Sequence, residues 1–169
     1  MTTLVTPSDL RARAKKLFDR DARTWAADQQ TDVVLEVPLR PPTEREVLDD
    51  LNRVRQWVDA WRGVSEGWGI ELEWVVRNWS RIGSQEVPVR AVLRGSDSIA
   101  RAAGETDGWR LLVARLDELR GLAGSDASSV LRASARAIAD LDGADFDRLV
   151  HVLAWLRENP ESGHLVREL

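Results

Sequence analysis

The chain has 169 residues and a formal net charge of −4, and its composition is that of one soluble domain. It contains no Cys and no Tyr, which excludes disulfides, cysteine-ligated metals and thiol or tyrosine nucleophiles. Lys15 and Lys16 are the only lysines, and neither a Walker motif nor an apolar run of membrane-spanning length occurs. We therefore expect a cytoplasmic protein without a membrane segment, and the acidic balance disfavours a globally basic nucleic-acid binder.

The first third of the sequence alternates helix and strand signals. Thr6 and Pro7 open a first helix, and Asp32–Leu39 predicts a β-branched strand that the following prolines end. A capping box at Thr43–Glu46 opens a long amphipathic helix, which the glycine-rich segment Gly63–Gly69 is expected to break.

Alternating apolar and polar residues then predict a β-hairpin with strands Ile70–Trp79 and Val87–Leu93. Pro88 lies inside the second strand and indicates an edge strand or a bulge. From Gly95 onward the pattern is helical, with a short helix to Ala103 and three more at about 108–122, 125–141 and 145–158. We predict a single α+β domain over 1–169, in which two helices pack an antiparallel or mixed sheet of about three strands (1–94) and a helical part follows (95–169).

Two groups of basic side chains are candidates for contact with DNA phosphates. They are Arg13, Lys16 and Arg20 on the first helix, and Arg77, Arg90 and Arg94 on the hairpin. The first three share an arc of the helix apart from its apolar side, and Arg23 extends that arc. Arg77, Arg90 and Arg94 alternate with the apolar residues of their strands, so we expect them on the opposite face of the hairpin. The alternative is a solvated face that forms salt bridges with Glu71 and Glu73.

Trp57 and Trp61 lie four residues apart on one face of the predicted second helix. Tryptophans of this kind either fill a core, because each buries a large apolar surface, or anchor a protein partner. The sequence leaves both roles open.

The carboxylates of Asp140–Asp147 are the most catalytic-looking string in the chain. Carboxylates in such a cluster can hold Mg²⁺ or Ca²⁺, but their spacing departs from that of a calcium loop. A helix end with Asp145 capping the next helix explains them better. A metal-dependent enzyme built on Asp140 and Asp142 is the weakest alternative, and neither His151 nor His164 completes a ligand set.

Several short segments in order resemble one family. They are Val37–Thr43 (VPLRPPT), Val54–Val58 (VRQWV), the hairpin residues Trp74, Asn78, Gly83 and Pro88, and the closing stretch Asp147–Glu168. Together they resemble the N-terminal domain of JetD, the nuclease subunit of the SMC-type Wadjet plasmid-defence systems. The resemblance covers nearly the whole chain, although each motif is short and made of structural residues.

The resemblance implies a homodimeric parent protein, similar to the A subunit of type IIB topoisomerases. Such a protein has an N-terminal arm, a winged-helix-like region and a C-terminal Toprim domain whose carboxylates bind divalent metal and cut DNA. No catalytic residue of that family has a counterpart here, so we expect no catalytic residue and no cofactor in this chain. The implied role is to position DNA, the dimer partner or the SMC complex. The alternative is a docking module without DNA contact, which would use the Trp57 and Trp61 face or the C-terminal helices.

Overall fold

The computed structural model describes residues 3–124 and 128–160. The elements in chain order are α1 (Pro7–Asp28), β1 (Val34–Pro38), α2 (Glu44–Asp49), α3 (Leu51–Trp68), β2 (Ile70–Trp79), β3 (Gly83–Arg94), α4 (Ser96–Ala103), α5 (Thr106–Ala123), α6 (Ser128–Asp140) and α7 (Gly143–Glu158). The predicted α+β class is confirmed, and the sheet is antiparallel throughout. The predicted start of the third C-terminal helix, Ser125, lies outside the described residues.

The chain divides into two compact units that share α1. Unit 1 comprises the residues up to 20 together with 31–106, and unit 2 comprises 21–30 together with the residues after 106. Unit 1 therefore holds the sheet, α2, α3, α4 and the first part of α1. Unit 2 is built from the end of α1 and from α5, α6 and α7. Helix α4, which follows the hairpin in sequence, belongs to the unit that contains the sheet.

β3 is the central strand of the sheet, between β1 and β2. A bulge lies where Glu73 pairs with Arg90 and the next residue of β2, Trp74, pairs with Pro88, which leaves one extra residue on β3. The predicted bulge is thus present, and Pro88 is not on an edge strand. Because proline has no N–H to donate to a ladder, the irregular pairing is what allows it in a central strand.

The core of unit 1 lies against one face of the sheet. Its buried side chains include Leu10 and Ala14 of α1, Val54, Trp57 and Trp61 of α3, Ala91 and Leu93 of β3, and Ile99 and Ala102 of α4. Leu10 and Ala14 are four residues apart, which places them on one face of α1.

The predicted long second helix is interrupted at Asp50. The capping box is present, because Thr43 Oγ1 accepts a hydrogen bond from the Glu46 amide (3.4 Å) and Glu46 Oε2 accepts one from the Thr43 amide (2.8 Å). Asp50 then ends α2, and its carboxylate accepts a hydrogen bond from the Arg53 amide at 3.0 Å, which starts α3. Asp50 therefore separates α2 from α3, although the spacing of their apolar residues predicts one continuous helix.

The glycine-rich segment does not break α3, so the prediction of a break from Gly63 onward is wrong. The helix continues to Trp68 and ends at Gly69, whose φ of 67° is in the left-handed region. Isolated glycines inside a helix cost about 1 kcal/mol each but do not end it. The glycine after the last turn ends it, because it adopts the left-handed conformation without a steric penalty.

Unit 2 is a helical unit with an aromatic contact in its core. The rings of Trp25 and Trp109 meet edge to face, with centroids 6.4 Å apart and an interplanar angle of 79°. The other large buried side chains are Leu112, Leu116 and Leu119 of α5, Leu131 and Ile138 of α6, and Phe146 of α7. In the described part of the chain, no helix has both the length and the apolar character of a membrane span.

Arginines hold the C-terminal end of α1 within unit 2. Arg120 donates to the Ala26 and Ala27 carbonyl oxygens at 3.3 and 2.8 Å. Arg132 donates from Nε and Nη2 to Asp28 Oδ1 at 3.0 and 2.7 Å. Cations are favourable at this end of a helix, where the last carbonyls have no partner within the helix and the helix dipole is negative.

Candidate nucleic-acid and partner surfaces

Some basic side chains of α1 contact other residues of unit 1, and others are exposed. Arg11 and Lys15 lie at the C-terminal end of α4. The Arg11 guanidinium packs against Gly104, so closely that a Cβ there would clash with it. Lys15 Nζ contacts Asp19 Oδ1 and Glu105 Oε1, both at 2.7 Å. The hydrogen bonds with Asp19 and then Glu105 raise the pKa of Lys15 above its usual 10.5.

The predicted basic arc, Arg13, Lys16 and Arg20, is exposed along α1. Arg13 and Lys16 form no ion pair with any residue in the described ranges, and so their charges are available to a ligand. From Arg13 to Arg20 the helix rises about 10 Å, which is the length over which one DNA strand places about three phosphates. This arc therefore presents cations at a spacing suited to a phosphate backbone.

The hairpin arginines are also exposed, but two of them are paired. Arg90 lies on the central strand between Glu36 of β1 and Glu73 of β2, at 3.8 and 3.4 Å. Arg94 Nε donates to Glu71 at 2.9 Å.

Together, the two arginines (Arg90 and Arg94) and their three glutamate partners carry three negative and two positive charges. This part of the sheet is therefore not a basic face. It matches the alternative interpretation of the hairpin arginines, a solvated face that forms salt bridges. Arg77 is exposed opposite Gln85 and forms no ion pair with the described residues. Of the hairpin group, only Arg77 offers an unneutralised charge for phosphate contact.

Trp57 and Trp61 are buried, with 5% and 0% of their surfaces exposed. Both indole Nε1 atoms donate to one acceptor, the Val5 carbonyl oxygen, at 2.7 and 3.0 Å. Together they fix the segment that leads into α1, where Thr6 and Asp9 form the helix start. A role as partner anchors needs exposed indole faces, and the structure places these two in the core instead.

Arg115 of α5 is a buried cation that belongs to neither of the two predicted basic groups. It is 6% exposed, and its Nη1 donates to the carbonyl oxygens of Ile138 (3.0 Å), Ala139 (3.4 Å) and Leu141 (2.8 Å). Its guanidinium also lies 4.8 Å from the centre of the Phe146 ring, and its Nε has no hydrogen-bond partner among the residues that the structure describes.

A signal for Arg115 was present in the sequence. It lies three residues after Leu112 and one before Leu116, which are on the buried face of α5. A cation at the border of an apolar helical face is expected either to reach solvent or to bind carbonyls at a helix end.

The carboxylate string marks a helix junction. Asp142 Oδ1 accepts a hydrogen bond from the Asp145 amide at 2.8 Å, so Asp142 caps α7 rather than Asp145, and Gly143 is the first helical residue. Within 3–124 and 128–160, no group of three or more histidine and carboxylate side chains is arranged to hold a metal. His151 is exposed, and His164 lies outside the described residues.

In a comparison with protein families, one family model matches residues 7–169. The family is described as the N-terminal part of an uncharacterised protein conserved in bacteria (DUF3322). The match covers nearly the whole chain, and the chain belongs to this family. A comparison with curated proteins gives no match.

Proposed function

We propose that this chain is the non-catalytic N-terminal domain of a Wadjet JetD-like nuclease. It would help to position DNA, the dimer partner or the SMC complex for cleavage of plasmid DNA in the cytoplasm. Membership of a family of bacterial N-terminal domains supports this proposal, as do the segments that resemble JetD. In this proposal the Toprim domain and its divalent metal belong to another part of the parent protein.

The observation that carries a DNA-positioning role is the basic arc of α1. Arg13 and Lys16 have exposed charges without ion pairs in the described structure, and Arg20 extends the same side of the helix. Contacts of this kind bind the phosphate backbone, give no base specificity, and weaken with salt. The domain would thus hold DNA of any sequence, as a plasmid-defence system requires.

Binding of duplex DNA across a salt series tests this role. Each neutralised phosphate contributes about −0.9 to the slope of log affinity against log salt. Arg13 and Lys16 have no ion pair in the described structure, so the triple variant Arg13→Gln, Lys16→Gln, Arg20→Gln should lower the magnitude of the slope by at least about 1.8. The matched control is Arg90→Gln with Arg94→Gln, which removes two cations already paired with glutamates.

The control variant should retain the wild-type slope. A control that loses as much slope as the triple variant would assign the contact to the sheet and overturn the role of α1. Absence of salt-dependent binding by the wild-type chain would overturn DNA contact altogether.

The second candidate function, a docking module, is favoured by α7. Val152 and Trp155 lie three residues apart on this helix and are 52% and 50% exposed. Exposed tryptophan is common at the centres of protein interfaces. If docking is the function, Trp155→Gln should abolish binding to purified Wadjet SMC subunits, and the α1 triple variant should bind them as wild type does. Binding that survives Trp155→Gln would count against α7 as the docking helix.

A further inference from the structure

A cleft of ≈ 280 Å³ runs along α3 in unit 1, on the side of the β2–β3 hairpin. Its apolar lining consists of Val47, Leu51, Val54 and Val58 from the helices and Trp79, Ile82 and Val87 from the hairpin. Leu51, one of these lining residues, is 42% exposed, so part of the apolar lining meets solvent. Contiguous apolar surface that is left exposed is typical of an interaction site.

Polar contacts connect the helical side of the cleft to the hairpin at two places. The Glu44 carboxylate accepts hydrogen bonds from the Arg81 amide at 2.6 Å and from Ser80 Oγ at 3.3 Å. Arg62 Nη2 lies 4.0 Å from Glu86 Oε2, and the Arg62 guanidinium covers the Trp74 ring at 4.9 Å. Because these contacts set the separation of the two walls, an occupant does not have to open the cleft, which lowers the cost of binding.

Two opposite charges along the cleft are left for an occupant. Arg62 and Glu86 face each other at the distance of a weak ion pair, whereas Arg55 and Asp59 form no ion pair with the described residues. Arg55 and Asp59 are one helical turn apart on α3, about 6 Å along its axis. The lining therefore combines an apolar floor with one positive and one negative side chain.

We propose that this cleft docks a peptide segment of a partner protein. One large aliphatic or aromatic side chain of the segment enters the cleft, an acidic neighbour faces Arg55, and a basic neighbour faces Asp59. Enclosed sites for small molecules have volumes of about 300–1,000 Å³ and surround most of the ligand. This cleft is at the lower end of that range and is open to solvent, which suits one or two side chains of a polypeptide. The surface is separate from the basic arc, because none of the arc residues lines it.

The test is a nuclear magnetic resonance titration of the ¹⁵N-labelled chain with short peptides. The indole N–H signal of Trp79, assigned with Trp79→Phe, reports occupancy of the cleft. The probe is acetyl-Ser-Glu-Leu-Lys-Ser-amide, and the comparison peptide has Gly in place of Leu. We expect a saturable shift with the leucine peptide and at least about ten-fold weaker binding of the glycine peptide, because a buried leucine side chain provides most of the affinity.

Charge selection is tested with Arg55→Gln, and Arg77→Gln is the matched control because Arg77 is exposed outside the cleft. We expect Arg55→Gln to weaken the leucine peptide about two- to five-fold, as exposed ion pairs do, and Arg77→Gln to leave its affinity unchanged. Equal binding of the two peptides, equal loss in the two variants, or no shift of Trp79 up to about 10 mM peptide would overturn the proposal.

Discussion

Arginine stabilises the two units in different ways. In unit 1, Arg90 and Arg94 lie exposed on the sheet and pair with glutamates of neighbouring strands. In unit 2, Arg115 is buried and binds three backbone carbonyls, and Arg120 caps α1. Exposed ion pairs contribute little because water competes for both partners, whereas a lost buried donor leaves its acceptors unsatisfied. The energetic role of each arginine therefore depends on its surroundings more than on its charge.

The largest expected effect is at Arg115. Arg115→Met keeps most of the side-chain volume but removes the donor to the Ile138, Ala139 and Leu141 carbonyls, so we expect the free energy of unfolding to fall by about 3 kcal/mol. Urea denaturation measures it. The matched control is Arg110→Met, an exposed position on the same helix, which should change stability by less than about 0.5 kcal/mol. Similar losses in both variants would remove the contrast between buried and exposed arginines.

The next effect concerns the core of unit 1. Trp61→Phe removes a donor to the Val5 carbonyl and leaves a small cavity, so we expect a loss of about 2 kcal/mol in thermal or urea unfolding. Trp68→Phe is the control, since Trp68 is only half-buried and its indole binds no acceptor among the described residues. A Trp61→Phe variant as stable as this control would show that the shared carbonyl contributes nothing.

The cap of α7 should have an intermediate effect. Asp142→Ala removes the acceptor for the Asp145 amide, which costs about 1 kcal/mol at a helix N-terminus. Asp140→Ala, at the C-terminal end of α6, should be neutral or slightly stabilising, because a negative charge there opposes the helix dipole. Circular dichroism during urea unfolding distinguishes the two variants. The reverse order of stability would contradict the assignment of Asp142 as the cap.

The sheet pair Arg94 and Glu71 should couple weakly. A double-mutant cycle with Arg94→Gln and Glu71→Gln is expected to give a coupling energy of about 0.5 kcal/mol in low salt and almost none in 1 M salt. A coupling above about 2 kcal/mol that persists in high salt would mean that the sheet ion pairs stabilise as strongly as the buried arginine.

The smallest effect depends on pH. The pKa of Lys15 is raised in the folded chain, so its ion pairs stabilise fully below pH 10.5 and are lost as pH rises through the raised pKa. We expect wild-type stability to decline more steeply in this alkaline range than that of Lys15→Met. Lys16→Met, the neighbouring lysine without an ion pair, should follow the wild-type profile. Identical profiles for all three proteins would exclude this contribution.

Local sequence patterns predicted much of the fold. Strand β2 begins and ends at the predicted residues, and its apolar and polar residues alternate from Ile70 to Trp74. The capping box also predicted the start of α2. The break at Asp50 was missed, since apolar residues recur at helical spacing on both sides of it. Periodicity reports which face is buried but does not report a local change in backbone direction.

The candidate surfaces were harder to predict, because charge availability depends on tertiary pairing. Glu71 and Glu73 were recognised as partners for the hairpin arginines, but Glu36 was not, since the register of β1 against β3 cannot be read from either strand alone. Arg115 borders the apolar face of α5 in the sequence, but its carbonyl acceptors are more than 20 residues away along the chain and cannot be read from α5 alone. The exposed arc on α1 was predictable because it depends only on the periodicity of one helix.

The two lysines give the chain an unusual chemical reactivity. Lys15 and Lys16 are adjacent on α1 and are the only side-chain amines in the sequence. One amine is held between two carboxylates, whereas the other is exposed without an ion pair in the described structure. An amine-selective reagent such as an acetylating agent or a bifunctional cross-linker will therefore modify side chains only on this helix, and Lys16 ahead of Lys15. The extent of modification at Lys16 can thus report whether DNA or a protein covers α1.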